Sequence, residues 1–182
     1  MMPKDFIQIV LIKEVGEIHE KYPYIAFATM AIGIEFLGKC LNTHDDWNHF
    51  ARGVPKADFE LAIKSLNSFD KYRTLLTTHD FWDSLRNGFS HSFVPKGTLT
   101  LSSKDEDPHM KIISPTQINL RCEDFYADFK GACDEVIAMT TFASSKMSRA
   151  LLSVPDDATT SSPHSGATAY NTTTFTPPPS IP

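Results

Sequence analysis

The sequence has few cysteines and no long uninterrupted apolar run, and each shortage excludes a class of protein. None of its three cysteines, Cys40, Cys122 and Cys133, belongs to a Cys-x-x-Cys pair. Neither a disulfide framework nor a structural zinc site is therefore expected. The N-terminus has no signal-peptide pattern. The most apolar segment, residues 24–37, is interrupted by Glu35 and is shorter than the ~20 residues that a membrane span needs. We expect a cytoplasmic protein that does not cross a membrane.

The chain also lacks an excess of positive charge. It has 17 Lys and Arg against 22 Asp and Glu, which gives a net charge of −5. A protein that coats nucleic acid through bulk charge is strongly basic, so RNA would have to be bound at a local site or through a partner. The sequence shows no phosphate-binding glycine loop, no paired-carboxylate constellation of the kind used in acid–base catalysis and no Ser–His nucleophile motif. We expect neither a cofactor nor a metal.

The composition changes near residue 153. Of the 30 residues in 153–182, 18 are Ser, Thr or Pro, and none is Lys or Arg. Such a segment buries too little apolar area to offset the entropy lost on ordering. We predict a helical domain over residues 1–152 and a disordered tail over residues 153–182.

Apolar residues recur at helical spacing through most of residues 1–152. Helices are predicted over residues 4–21, 24–41, 56–70 and 122–152, with another from Phe81 through Phe89 that ends before Pro95. The helix at 24–41 is apolar almost all round, which is typical of the central helix of a bundle. A bend or interruption of the last helix is expected at Gly131 or at Thr140-Thr141.

Residues 98–102 instead alternate with a period of two, as a short strand does. A returning strand at 110–114 or at 118–120 would complete a small β-hairpin around residues 98–120. The predicted fold class is mainly α: an up-and-down helical bundle with this hairpin inserted.

The segment Arg86-Asn87-Gly88-Phe89-Ser90-His91 combines a permanent cation, an amide and an imidazole within six residues. Four residues separate Arg86 from His91. This motif resembles the signature of the HEPN superfamily, in which Arg and a polar residue, often Asn, are followed after a short spacing by His. The helical context and the flanking residues Leu85 and Phe93 fit the same family.

The resemblance implies a metal-independent endoribonuclease. Members of the family cleave RNA through attack by its own 2′-hydroxyl, and many act as dimers in toxin–antitoxin or phage-defence systems. A homodimer with an antitoxin or regulatory protein as partner is therefore implied. Other members bind nucleotides or have lost catalysis, so a non-catalytic module that binds RNA, a nucleotide or a partner protein is the alternative. A helical interaction domain with no site is a third possibility.

The residue types suit this chemistry, because the nucleophile belongs to the substrate and the protein supplies proton transfer and charge stabilisation. His91 can move a proton, since imidazole titrates near neutral pH. Arg86 can hold a phosphate through two N–H groups. Asn87 can donate a hydrogen bond to the phosphate or orient a neighbour, and Ser90 is a weaker candidate for that task. Glu35 is expected on the helix surface, in a buried salt bridge, or beside Arg86 as the residue that positions it.

Helical geometry separates the two main candidates. At ~100° per residue, Arg86 and His91 lie roughly 140° apart around a straight helix. Either the helix ends or distorts near Gly88, or each site takes one group from a second subunit, which is an independent reason to predict a symmetric dimer. The competing interpretation is that this Arg and His only bond a carboxylate and a carbonyl at a helix end.

Overall fold

The computed structural model describes residues 1–104 and 106–151. Those residues are mainly helical and include a small three-stranded sheet. The mainly α fold class is therefore confirmed. The predicted tail, residues 153–182, and the last residue of the predicted domain, Leu152, lie outside the described part of the chain.

The N-terminal helix, α1, is built from three consecutive stretches. They are Pro3–Phe6, Ile7–Glu14 and Val15–Ile18, of which the middle one has wide π-helical turns. Ile7, Leu11 and Val15 are buried at a spacing of four residues, so they form one apolar face. That face packs α1 against the central helix and against the last long helix.

The central helix, α2, spans Pro23–Leu41 and begins with a proline in its first turn, where the missing N–H costs nothing. Ala26, Met30, Ile34 and Leu37 are fully buried along it. Within the described residues, α2 is the helix that is long and apolar enough to cross a membrane by length and composition, but 67% of its apolar window is buried in the fold. The core helix of a soluble protein has this property, and a cytoplasmic location stays a prediction.

Helix α3 spans Val54–Ser65 and packs closely on α2. Gly38 makes this approach possible, because a Cβ at that position would lie 1.7 Å from the carbonyl oxygen of Asp58. The predicted extension of α3 to residue 70 is wrong. Leu66 is extended, and a 3₁₀ helix over Asn67–Tyr72 follows.

A carboxylate from another helix explains this early end. Glu135 accepts hydrogen bonds from the backbone N–H groups of Asn67 and Ser68, at 2.8 and 2.7 Å. Those donors are therefore satisfied by a residue that lies 67 positions away from Ser68, and a continuous helix is not needed. A short helix, α4, follows at Leu75–Thr78.

The sheet differs from the predicted hairpin in its pairing. Strand β1 (Leu99–Ser102) lies parallel to β3 (Gln117–Arg121), and β2 (Ile112–Ser114) lies antiparallel to β3 on its other side. The strand order is therefore β1-β3-β2. Parallel pairing requires a connection of about a dozen residues or more, which residues 103–116 supply. The predicted antiparallel return from residues 98–102 is wrong.

The last long helix, α6, spans Cys122–Ala138 and ends well before the predicted residue 152. The chain then becomes extended at Met139 and forms a 3₁₀ helix over Ser145–Ser148. Lys146 in that turn is fully buried, and its ammonium group donates to the carbonyl oxygen of His44 at 2.7 Å. The turn therefore packs against the loop that follows α2, which a continuous helix would not reach.

Candidate functional site

The Arg86–His91 motif lies on helix α5. This helix begins as a wide π-helical stretch over Trp82–Asn87 and continues as an α-helix over Gly88–Ser92. Its buried residues include Leu85 and Phe89, which pack it on the core. Wide turns of this kind occur often at functional sites. Because the helix is distorted just before Gly88, the angle of a straight helix does not describe the separation of Arg86 and His91.

A return segment, residues 93–96, folds back over α5. Phe93 adopts a left-handed conformation with φ of 56°, which reverses the chain. A Cβ at Gly88 would lie 2.6 Å from the carbonyl oxygen of Val94, so glycine is required at that position. The backbone N–H of Lys96 donates to the carbonyl oxygen of Ser84 at 2.8 Å. The motif helix is therefore held between the core and this segment.

The guanidinium of Arg86 is held from three directions. Its Nε lies 2.5 Å from Oε2 of Glu35 on α2, and its central carbon lies 4.9 Å from the ring centroid of Trp82. Its Nη1 donates to Oγ of Ser90 at 2.9 Å. Nη2 makes no hydrogen bond or ion pair within the described residues. Arg86 therefore keeps donor capacity for an anion.

The pair formed by Arg86 and Glu35 is largely buried, with side chains 20% and 9% exposed. Burial raises the pKa of Glu35 above its ordinary range, although Arg86 and Lys39 lower it. Neither the Nε of Arg86 nor the Oε2 of Glu35 has a well-aligned hydrogen bond. A buried pair of this kind adds little stability compared with apolar residues. Its clear structural effect is to fix where the guanidinium lies.

Asn87 and Ser90 have different partners. The Nδ2 of Asn87 donates to Oδ1 of Asp83 at 2.6 Å, and Asp83 also pairs with Lys96. Both contacts lower the pKa of Asp83, and the contact with Lys96 has the larger effect. Ser90 accepts from Arg86 and lies 3.4 Å from the carbonyl oxygen of Asn87. Ser90 therefore belongs to the Arg86 cluster, whereas the amide of Asn87 is engaged by Asp83.

His91 is exposed and stands apart from this cluster. It has no hydrogen bond, ion pair or ring contact with any other described residue. The structure thus brings Glu35, Arg86 and Ser90 together but does not join His91 to them within one subunit. Sequence analysis missed the ring of Trp82, although its position four residues before Arg86 on the same helix was an available signal.

A second polar cluster lies away from the motif, between the sheet and α6. The backbone N–H of Arg121 donates to Nδ1 of His109 at 3.0 Å, which assigns the proton of a neutral imidazole to Nε2. Nε2 lies 2.8 Å from the hydroxyl of Tyr72, which donates to Asp128. Burial lowers the pKa of His109 and raises that of Tyr72. This enclosed chain of hydrogen bonds ties the sheet to α6.

An exposed apolar stripe borders the motif on α2. Ile25 and Ile32 are 44% and 52% exposed, and Phe36 continues the same helix face one turn further along. Glu35, which contacts Arg86, is three residues after Ile32 on this helix. The stripe is therefore adjacent to the site. Ile25 and Ile32 are its exposed members, whereas Phe36 is half-buried against the rings of Phe6 and Trp47.

Comparison with protein-family models, with curated proteins and with solved structures finds no match for this chain. The resemblance to the HEPN superfamily therefore stays a prediction.

Proposed function

We propose that the chain is a HEPN-like, homodimeric, metal-independent endoribonuclease. The observation that supports this most is the anchoring of Arg86 by Glu35, Trp82 and Ser90, while its Nη2 has no hydrogen-bond or ion-pair partner among the described residues. Because burial raises the pKa of Glu35, its ion pair with Arg86 contributes little to the stability of the fold. A cation held in one position suits the stabilisation of charge on a phosphate, and the exposed imidazole of His91 would come from the second subunit.

In the proposed reaction the 2′-hydroxyl of RNA attacks the adjacent phosphorus atom. His91 accepts the proton of that hydroxyl, and the 5′-oxygen leaves with a proton returned from the imidazolium. The products are a 2′,3′-cyclic phosphate and a 5′-hydroxyl. Arg86 donates to the non-bridging phosphate oxygens, where negative charge increases in the transition state. Asn87 has an assisting role, in which it orients its neighbour Asp83.

The proposed dimer joins two copies through the stripe of Ile25, Ile32 and Phe36. Two features argue for a second copy as its occupant. The stripe borders the Arg86 cluster, and each subunit holds an Arg86 and a His91 that do not meet. A two-fold axis through a shared helix face places the same groups of both subunits side by side. Arg86 of one subunit would then bind the phosphate, and His91 of the other subunit would transfer the proton.

A second candidate function is a non-catalytic HEPN-like module that binds RNA or a nucleotide. The observation that favours it is that no described residue orients His91, whereas a general base is usually oriented by a hydrogen bond. In that function Arg86 would bind a phosphate and no bond would break. An antitoxin or regulatory protein as partner, and a defence setting, are proposed from the family resemblance alone.

The test is incubation of the full chain with labelled single-stranded RNA in the presence of EDTA. We expect cleavage that leaves a 2′,3′-cyclic phosphate end, lost in His91→Ala and in Arg86→Lys. Arg86→Lys retains the charge beside Glu35, so it preserves the fold while removing the planar fork that binds phosphate. Lys130→Ala, which removes an exposed pair with Asp134 on α6, is the matched control and should cleave like wild type. Cleavage by both folded site variants at the wild-type rate would disprove the assignment, and RNA binding without cleavage would favour the second candidate.

A further inference from the structure

Phe93, two residues after His91, has an unusual conformation for its size. Its φ of 56° lies in the left-handed region, where bulky side chains are rare and where a helix end normally carries glycine. The residue is nevertheless 55% exposed. The burial of the ring therefore does not explain why a phenylalanine occupies this position. Such unfavourable conformations are concentrated at binding and catalytic sites.

The surroundings hold this ring in place without covering it. The hydroxyl of Tyr24 donates to the carbonyl oxygen of Phe93, which fixes the backbone at the end of α5. The ring centroid of Phe93 lies 5.8 Å from that of Tyr24 and 6.4 Å from that of Phe89, at tilted and edge-on angles. Contacts of this kind orient one part of a ring while the residue stays exposed to solvent. Phe93 therefore forms a pre-oriented aromatic platform.

The platform is close to the phosphate-binding groups in the chain. Phe93 directly follows the helix that carries Arg86, Ser90 and His91. In RNA each phosphate is flanked by bases, so a protein that binds one phosphate at Arg86 has a base within reach of neighbouring side chains. Aromatic side chains stack on unpaired bases of any sequence, whereas bases inside a duplex are not available for this contact.

We propose that Phe93 stacks on an unpaired base next to the phosphate held by Arg86 and so positions the RNA strand. This inference rests on the proposed function and adds to it a residue that binds the substrate. Stacking acts on the bound base and not on the reacting atoms, so Phe93 is a positioning residue. Its loss should raise KM and leave kcat unchanged.

The experiment compares wild type with Phe93→Leu and Phe93→Trp, using the full chain in EDTA. Leucine keeps an apolar side chain of similar size in the same strained backbone, so the melting temperature should stay the same, whereas tryptophan keeps an aromatic face. Binding is measured by fluorescence anisotropy with a 2′-deoxy-substituted oligonucleotide that cannot be cleaved, and cleavage with the matching RNA. Ile112→Ala, at an exposed residue of β2, is the control for loss of exposed apolar area.

We expect Phe93→Leu to weaken binding of single-stranded RNA by about 5- to 160-fold, the loss that corresponds to removal of one stacking ring. Phe93→Trp should restore binding, and Ile112→Ala should bind like wild type. Removing the base at one position of the RNA should weaken binding to wild type but not to Phe93→Leu. A duplex of the same sequence should bind equally weakly to both.

Failures of the two proposals are distinguishable. If wild type binds and cleaves RNA but Phe93→Leu and the RNA lacking that base behave normally, the stacking proposal alone is overturned. If Phe93→Leu instead converts a dimer into monomers in sedimentation experiments, the ring belongs to a subunit interface and the proposal is also overturned. If wild type neither binds nor cleaves any of these RNAs, both proposals fail together.

Discussion

Replacing Arg86 by alanine would leave the buried carboxylate of Glu35 with only the weaker attraction of Lys39 to offset its charge. Breaking a buried ion pair in this way costs about 3–5 kcal/mol. Because the side chain of Arg86 is 20% exposed, we expect about 3 kcal/mol, the lower end of that range. Glu35→Gln should cost only about 1 kcal/mol, since the guanidinium that it leaves unpaired can reach solvent. The double variant should recover most of the stability lost in Arg86→Ala.

The pH dependence follows from the raised pKa of Glu35. A carboxyl group whose pKa is higher in the folded than in the unfolded state binds more protons when folded, so it lowers stability as the pH rises through the shifted pKa. Loss of Arg86 raises this pKa further. The stability lost in Arg86→Ala should therefore be larger at about pH 8 than at about pH 5. The double variant should show no such difference.

The assay is urea unfolding followed by circular dichroism, because Trp82 contacts Arg86 and its fluorescence would change for local reasons. Lys130→Ala serves as the control, since its partner Asp134 is exposed and should tolerate the loss with little effect. An Arg86→Ala protein as stable as wild type, or a double variant no more stable than Arg86→Ala, would refute this account of the pair.

Two further predictions concern the fold. Gly38→Ala should destabilise the protein by about 3 kcal/mol or more because its Cβ would meet the backbone of Asp58, whereas Gly97→Ala, with open space around it, should melt like wild type; equal melting temperatures would contradict this. Because burial lowers the pKa of His109, the protein should become less stable as the pH drops through the pKa of the imidazole in the unfolded chain. His109→Gln should reduce that pH dependence, which urea unfolding at about pH 7.5 and about pH 5.5 would measure. A wild-type protein with no loss of stability over this interval would show that the bond from Arg121 does not keep the imidazole neutral.

Local patterns predicted the helices well wherever one apolar face decides the structure. The fully buried positions of α2 recur at helical spacing, and α2 was predicted to within a residue of its observed start. The ends of α3 and α6 depend on contacts between distant residues. Glu135 satisfies the backbone beyond α3, and Lys146 draws the chain beyond α6 back to the loop that follows α2. Periodicity contains no information about either contact.

The sheet illustrates the same limit. Alternation identified residues 98–102 as a strand, but it does not say which strand pairs with it or in which direction. The parallel register of Leu99 with Ile118 depends on the shared core under both strands. Residues 118–120, one of the two expected returning segments, do pair with β1, but the preference for short antiparallel returns gave the wrong direction.

The candidate site was predictable in its residue types but not in its connections. Glu35 was noticed because an acid in an apolar helix needs a partner, and the contact with Arg86 is present. The wide turn at Trp82–Asn87 and the engagement of Asn87 by Asp83 are properties of the folded helix. The isolation of His91 could not be read from spacing, because it depends on what the return segment and α2 leave uncovered.

The most direct test of the central claim mixes two inactive variants. Arg86→Lys and His91→Ala are each purified, combined in equal amounts and allowed to exchange subunits before RNA is added in EDTA. Random exchange makes half of the dimers mixed. If Arg86 of one subunit and His91 of the other act on the same phosphate, each mixed dimer has one intact site out of two. About a quarter of wild-type activity should then return. Two variants that are each inactive and stay inactive after verified exchange would contradict the shared site.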